Sequence, residues 1–142
     1  MPEDALRLAA PRPKEDRLAL FDLISKTFGG YFAWMEKCEK HYIGHSHYDW
    51  EASRVGFADG RLVSHFGVWG YEMRVGAARL KVGGIGAVAT DGTCRKRGFM
   101  ARTASESIRA MRALGYDMSV LFGIQNFYHR FGYVRAWPYR TY

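Results

Sequence analysis

A chain of 142 residues, 48% hydrophobic and 25% charged, has the size and balance of one globular domain with a buried core. It holds no apolar run near the roughly 18–20 residues that span a bilayer, its opening "MPEDALRLAAPRPKED" carries acids and prolines where a signal peptide is expected to be cationic and then apolar, and its two cysteines are too few for a disulfide framework. The formal net charge of +7 is uneven: residues 1–94 carry 12 cations and 12 acids, whereas residues 95–142 carry nine cations and two acids.

In chain order, residues 5–9, "LRLAA", have the pattern of a short strand. Residues 14–30, "KEDRLALFDLISKTFGG", predict a helix, with Glu15 and Asp16 in its first turn, Leu18, Phe21, Ile24 and Phe28 at helical spacing, and Gly29 ending it. A second helix is expected from residue 31 to about residue 41, with Tyr31, Trp34, Cys38 and Tyr42 on one face, and "GHSHYDW" after it reads as loop. Asp59-Gly60 then marks a two-residue hairpin between strand-like runs. A further turn at Gly76 leads into a long strand ending near Thr90, in which "GGIG" (residues 83–86) suits close backbone approach or a bulge.

Residues 99–115, "FMARTASESIRAMRALG", predict an amphipathic helix with Met100, Ala104, Ile108, Met111 and Leu114 on its apolar face and Gly115 as its stop. "YDMSVLFG" reads as a buried strand, "NFYHRFG" as a short helix or turn, and "YVRAWPYRTY" as a last extended piece. The order β, α, α, three β, α, β, α, β predicts a single α/β domain over residues 1–142, a mixed central sheet flanked by helices.

The stretch "GTCRKRGFMAR" (residues 92–102) joins the long strand to the amphipathic helix and places Arg95, Lys96 and Arg97 directly before Gly98. At a helix start the first backbone N–H groups lack internal partners and the dipole is positive, so an anion is favoured there. Gly98 permits a turn in which successive amides point inward, and the flanking guanidiniums can add charge-assisted bonds to phosphate oxygens. A pyrophosphate fits such a nest; a solvated basic turn is the plainer alternative. Neither GxxxxGK[ST] nor GxGxxG is present.

Two other readings arise from the residues. Cys38, His41, His45 and His47 have zinc-type side chains, but three of them sit at helical spacing with no fourth ligand fixed, and no metal is expected. The basic last third, with Tyr128, Tyr133, Trp137, Tyr139 and Tyr142, could also serve a nucleic-acid-binding module. No RNP, helix-turn-helix or KH-type motif accompanies it, so no nucleic-acid partner is expected.

"VATDGTCRKRGFMARTASESIRAM" resembles the coenzyme A signature of the GNAT N-acetyltransferase superfamily, a strand, then Arg/Gln-x-x-Gly-x-Gly/Ala, then a helix. The matching residues run from Arg95 through Gly98 to Met100, and Met100 departs from the family's small final residue. "CRKRGFM" is more similar to the Eis-type branch, and "NFYHRFGY" (residues 126–133) resembles the family's Tyr-x-x-x-Gly-Phe/Tyr block.

The resemblance implies transfer of an acetyl group from acetyl-CoA, as co-substrate, to a primary amine of a small-molecule or peptide acceptor. It implies that the backbone of Val88, Ala89 and Thr90 meets the pantetheine arm. Amides of Arg95, Lys96, Arg97, Gly98, Phe99, Met100 and Ala101 would then hold the pyrophosphate. Tyr128 is implied as general acid to the leaving thiolate, with packing beside Phe127 and Phe131 as its plainer role. Asn126 either binds cofactor or caps the short helix. No acid lies on residues 82–90; Asp91, Glu51, Glu72 and His65 are unplaced candidates for the base. The family's final hairpin is not found in the nine residues after Tyr133, so a further domain or a second subunit is expected to complete the fold. A coenzyme A-binding sensor or scaffold without turnover is the alternative on the same fold. The expected location is the cytoplasm, without membrane contact.

Overall fold

The computed structural model describes residues 5–29, 47–124 and 126–138. The expected second helix, and with it Cys38, His41 and His45, lies outside the described residues. In chain order the elements are β1 (Arg7–Ala9), α1 (Arg17–Phe28), β2 (Arg54–Ala58), β3 (Arg61–Val75), β4 (Ala78–Thr90), a one-turn 3-10 helix (Gly92–Cys94), α2 (Phe99–Ala113), β5 (Met118–Leu121) and a second 3-10 turn (Tyr128–Phe131).

The five strands form one sheet in the order β1-β2-β3-β4-β5. The first four are antiparallel to their neighbours, and β5 runs parallel to β4. Local turn chemistry sets this arrangement. Asp59 and Gly60 both take positive φ, 49° and 72°, the conformation of a two-residue turn matched to strand twist, and Gly76 at 60° does the same between β3 and β4. Gly115, at φ 77°, stops α2, with its N–H donating to the Arg112 carbonyl and that of Tyr116 to Met111.

The helices take opposite faces of the sheet. α1 buries Leu20, Phe21, Leu23 and Ile24 against Tyr48, Val55, Leu62, Trp69 and Ala89. On the other face Phe99 packs with Leu6, Ala58, Val63 and Cys94, and Met111 with Ala52 and Val68. Hydroxyl groups fix α2 in register. Thr103 Oγ1 bonds Ser64 Oγ at 2.7 Å and donates to the Phe99 carbonyl at 2.7 Å, and Ser107 Oγ donates to the Ala52 carbonyl at 2.8 Å.

Both helices are rotated from the expected phase. In α1, Leu18 is 81% exposed and Phe28 50%, because the helix begins at Arg17 and its inner stripe is centred between Leu20 and Ile24. Asp16 sits at the N-cap rather than within the first turn, and its carboxylate accepts from the Arg12 backbone and guanidinium, at 2.7–3.0 Å. In α2 the inner stripe is Phe99, Thr103, Ala104, Ser107, Ala110 and Met111, so Met100 and Ile108 lie at its border. Residues 133–138 form no strand.

Candidate functional site

β4 ends at Thr90, and Asp91 immediately caps the 3-10 turn, its Oδ1 accepting the Thr93 N–H at 2.9 Å and the Thr93 hydroxyl at 2.6 Å. Those bonds hold its carboxyl below the usual carboxylate range, so Asp91 is a turn residue, poorly suited to collect a proton. Arg95 is extended (φ −68°, ψ 158°), Lys96 is left-handed at φ 62°, and Gly98 is left-handed at φ 73°, ψ 8°.

Gly98 is the N-cap of α2, and no side chain caps the helix from that position. The first N–H of the helical ladder to find an internal partner is that of Arg102, on the Gly98 carbonyl. The amides of Phe99, Met100 and Ala101 thus begin the electropositive end of a helix and find no partner among the described residues. A Cβ built on Gly98 meets nothing within 4 Å, so the space it would enter is open. Arg95, Lys96 and Arg97 are exposed and make no ion pair among the described residues, although the Arg97 guanidinium lies over the Phe99 ring at 4.5 Å. Phe99 buries its ring in the core, which leaves its amide as the group available to a ligand.

β4 and β5 pair only from Val82 opposite Met118 to Ile85 opposite Leu121. Beyond Ile85, β4 runs on to Thr90 while β5 stops, so the edge of residues 86–90 that faces β5 has no strand partner among the described residues. Val88 and Thr90 are half-buried there, and Ala89 points into the α1 core. The same segment carries an irregularity in its pairing with β3, with Ala87 at φ 49°. The glycines before it allow close approach: a Cβ on Gly83 would lie 2.7 Å from the Met111 sulfur, and one on Gly86 would lie 3.0 Å from the Trp69 ring.

Tyr128 opens the second 3-10 turn just past β5, and this turn touches α2. Its ring covers Gly123, where an added Cβ would overlap it, and it packs edge-to-face with Phe127, Phe131 and Tyr133 at centroid distances of 4.9, 6.2 and 6.2 Å. Packing and an available phenol therefore coexist: the hydroxyl makes no hydrogen bond among the described residues, and burial raises its pKa, keeping it protonated at neutral pH. Tyr133 differs, since its hydroxyl accepts from Ser119 Oγ at 2.5 Å. Asn126 is left-handed at φ 61°, Phe127 rather than Asn126 is the N-cap, and the Asn126 side chain makes no hydrogen bond among the described residues.

The other base candidates scatter. Glu72 is exposed and paired with Arg79 at 2.8 Å on the β3–β4 hairpin, and Glu51 is an exposed turn residue. His65 is fully buried beside β4, with Nδ1 2.7 Å from the Ala87 carbonyl and Nε2 2.8 Å from the Tyr48 hydroxyl. Both nitrogens are engaged, so His65 is no free base; nothing in its local sequence signals this role. Among the described residues no three His, Cys, Asp or Glu side chains gather as a metal site, and no helix is long and apolar enough to cross a membrane.

The family described as acetyltransferase (GNAT) domain matches residues 13–136. No curated protein matches the sequence. Among solved structures, a GNAT family acetyltransferase from Brucella melitensis in complex with acetyl-CoA superposes with a TM-score of 0.72 at 19% identity, covering 92% of this chain and 83% of that one. A probable N-acyltransferase from Enterococcus faecalis V583 gives 0.72 at 21% identity over 89% of this chain, and Eis1 from Mycobacterium abscessus gives 0.71 at 14% over 90%. The chain spans about a third of the length of those last two proteins, 32% and 31%.

Proposed function

The chain belongs to the GNAT acetyltransferase family, and we propose that it moves an acetyl group from acetyl-CoA to a primary amine. The observation that carries this reading is the pairing of two features at one end of the sheet. A helix N-terminus whose first amides have no partner among the described residues opens behind the left-handed Gly98, and the parted strands β4 and β5 leave the β5-facing edge of residues 86–90 without a strand partner among the described residues. A diphosphate suits the first, and an extended amide-bearing arm suits the second.

In this reading the amides of residues 97–101 hold the pyrophosphate, with Arg95 and Lys96 adding charge at the rim. The backbone of residues 88–90 pairs with the pantetheine arm, and Asn126, whose side chain makes no hydrogen bond among the described residues, adds a polar contact. When bound, acetyl-CoA supplies an activated thioester. The neutral amine forms the new C–N bond, the C–S bond breaks, and Tyr128 delivers its proton to the departing sulfur. A phenol whose ordinary pKa is near 10, raised here by burial, is uncharged at neutral pH and hydrogen-bonds the developing thiolate as it leaves. The amine's surplus proton passes to solvent, and water reprotonates the tyrosine.

The segment "CRKRGFM" supports a placement near the Eis-type branch. The outer edge of β5 is where a downstream segment or a second subunit would add a strand.

Thermal unfolding with and without acetyl-CoA tests the reading. Ligand at about 100 times its Kd stabilises the native state by about 2.7 kcal/mol, a rise of several degrees in Tm. No rise at saturating ligand would overturn it. Binding to single-stranded nucleic acid that collapses steeply with salt would favour the nucleic-acid reading instead. Coenzyme A binding without acetylation of any amine in a broad panel would favour a sensor.

A further inference from the structure

In the β3–β4 ladder Gly67 faces Gly86 and His65 faces Ala89, so two residues of β4, Ala87 and Val88, stand opposite the single residue Phe66. This is a β-bulge, and it lies just past Ile85, where β4 parts from β5. Ala87 adopts φ 49°, a conformation that an L side chain disfavours and that persists only where neighbours hold it.

The side chain hydrogen-bonded to it is that of His65. Its Nδ1 lies 2.7 Å from the Ala87 carbonyl, and a carbonyl can only accept, so Nδ1 carries the hydrogen. Nε2 then bears the lone pair and accepts the Tyr48 hydroxyl at 2.8 Å. The chemistry of the two partners fixes the tautomer, and burial keeps the ring neutral. Tyr48 is itself wedged edge-on between Trp50 and Trp69, at centroid distances of 4.8 and 5.0 Å. Gly67 completes the arrangement: a Cβ there would lie 2.6 Å from the Gly86 carbonyl and 2.8 Å from His65 Cε1.

We propose that His65 is a positioning residue, a clamp anchored by Tyr48 that sets the β4 bulge and so aims the backbone of residues 88–90 at the cofactor. The cofactor part of this inference rests on the acetyl-CoA reading; the clamp itself does not. A bulge re-aims the groups that follow it, and here those groups form the edge of β4 that has no strand partner among the described residues. A ring with one donor and one acceptor, both satisfied, holds that edge without carrying charge into the core.

His65→Phe keeps the ring and removes both polar ends, His65→Gln keeps one donor and one acceptor, and Tyr48→Phe removes only the anchor. Amide hydrogen exchange in the ligand-free protein reads the clamp directly. Residues 87–90 should exchange at least about tenfold faster in His65→Phe, measured against the β2–β3 hairpin, with most of the protection restored in His65→Gln. Tyr48→Phe should give a rise of at least about threefold. The dissociation constant for coenzyme A should weaken about tenfold or more in His65→Phe and recover in His65→Gln, whereas a merely structural role would lower Tm alone. A folded His65→Phe with wild-type exchange and affinity would overturn the clamp. Should that variant not fold, unchanged exchange in Tyr48→Phe would overturn it as well. Wild-type protein that binds no coenzyme A would remove the acetyl-CoA reading, and the exchange data would still decide the clamp.

Discussion

Gly98 separates backbone strain from ligand exclusion. It sits at φ 73°, ψ 8°, and a Cβ added to it meets no protein atom within 4 Å. Gly98→Ala therefore costs the apoprotein only the left-handed penalty, about 1–2 kcal/mol, or a few degrees of Tm. The effect on acetyl-CoA should be larger, because the new methyl enters the space in front of the helix amides. Losing one or two charge-assisted N–H bonds to phosphate, at about 1.5–3 kcal/mol each, weakens binding on the order of 10–10⁴-fold, and the bulkier Gly98→Val should abolish it. Gly60→Ala is the matched control: Gly60 has φ 72° and the same open surroundings, but in the β2–β3 turn. Calorimetric titration with coenzyme A, paired with urea unfolding, reads both quantities. The reasoning fails if folded Gly98→Val binds with wild-type affinity, or if Gly60→Ala loses binding equally.

Tyr128→Phe should lower turnover about 10²–10⁴-fold and leave the Kd for coenzyme A unchanged, as steady-state kinetics and calorimetry would show; equal rates would reduce Tyr128 to packing. Burial pulls the His65 pKa from 6.5 down to about 4, so the fold excludes a proton that the unfolded chain accepts. The corresponding stability is present above pH 6.5 and is lost as pH falls toward about 4, on the order of 3 kcal/mol in total. Urea midpoints between pH 7 and 4 should fall less in His65→Gln than in wild type, and parallel curves would contradict this. Thr103→Val leaves the buried Ser64 hydroxyl without its partner and should cost about 1–3 kcal/mol in urea unfolding. A change near zero would show that the hydroxyl pair does not secure α2 to the sheet.

What could be read from the sequence was what short-range chemistry decides. Asp59-Gly60, Gly76 and Gly115 mark their turns because only certain residues tolerate positive φ, and the structure turns at each. The loop around Gly98 was legible for the same reason: three cations and a glycine between a strand and an amphipathic helix leave few geometries. Helix phase was less legible. Leu18 and Phe28 have the spacing of core residues, but the stripe that α1 buries against the sheet runs through Leu20, Phe21, Leu23 and Ile24 and leaves both outside it. The β4 bulge was legible only in part: the glycine run of residues 83–86 marked close approach or a bulge, and the bulge falls just beyond it, at Ala87 and Val88. An alanine at φ 49° has no local signature, and His65 becomes its clamp only because β3 and β4 pair out of step, through contacts 22 residues apart in the chain.

The most direct measurement is a crystal structure of the protein with coenzyme A. The account predicts pyrophosphate oxygens about 3 Å from the backbone amides of residues 97–101, with the pantetheine arm lying along residues 88–90 where β4 leaves β5. A diphosphate bound elsewhere, with the turn before α2 vacant or closed by a side chain, would contradict it.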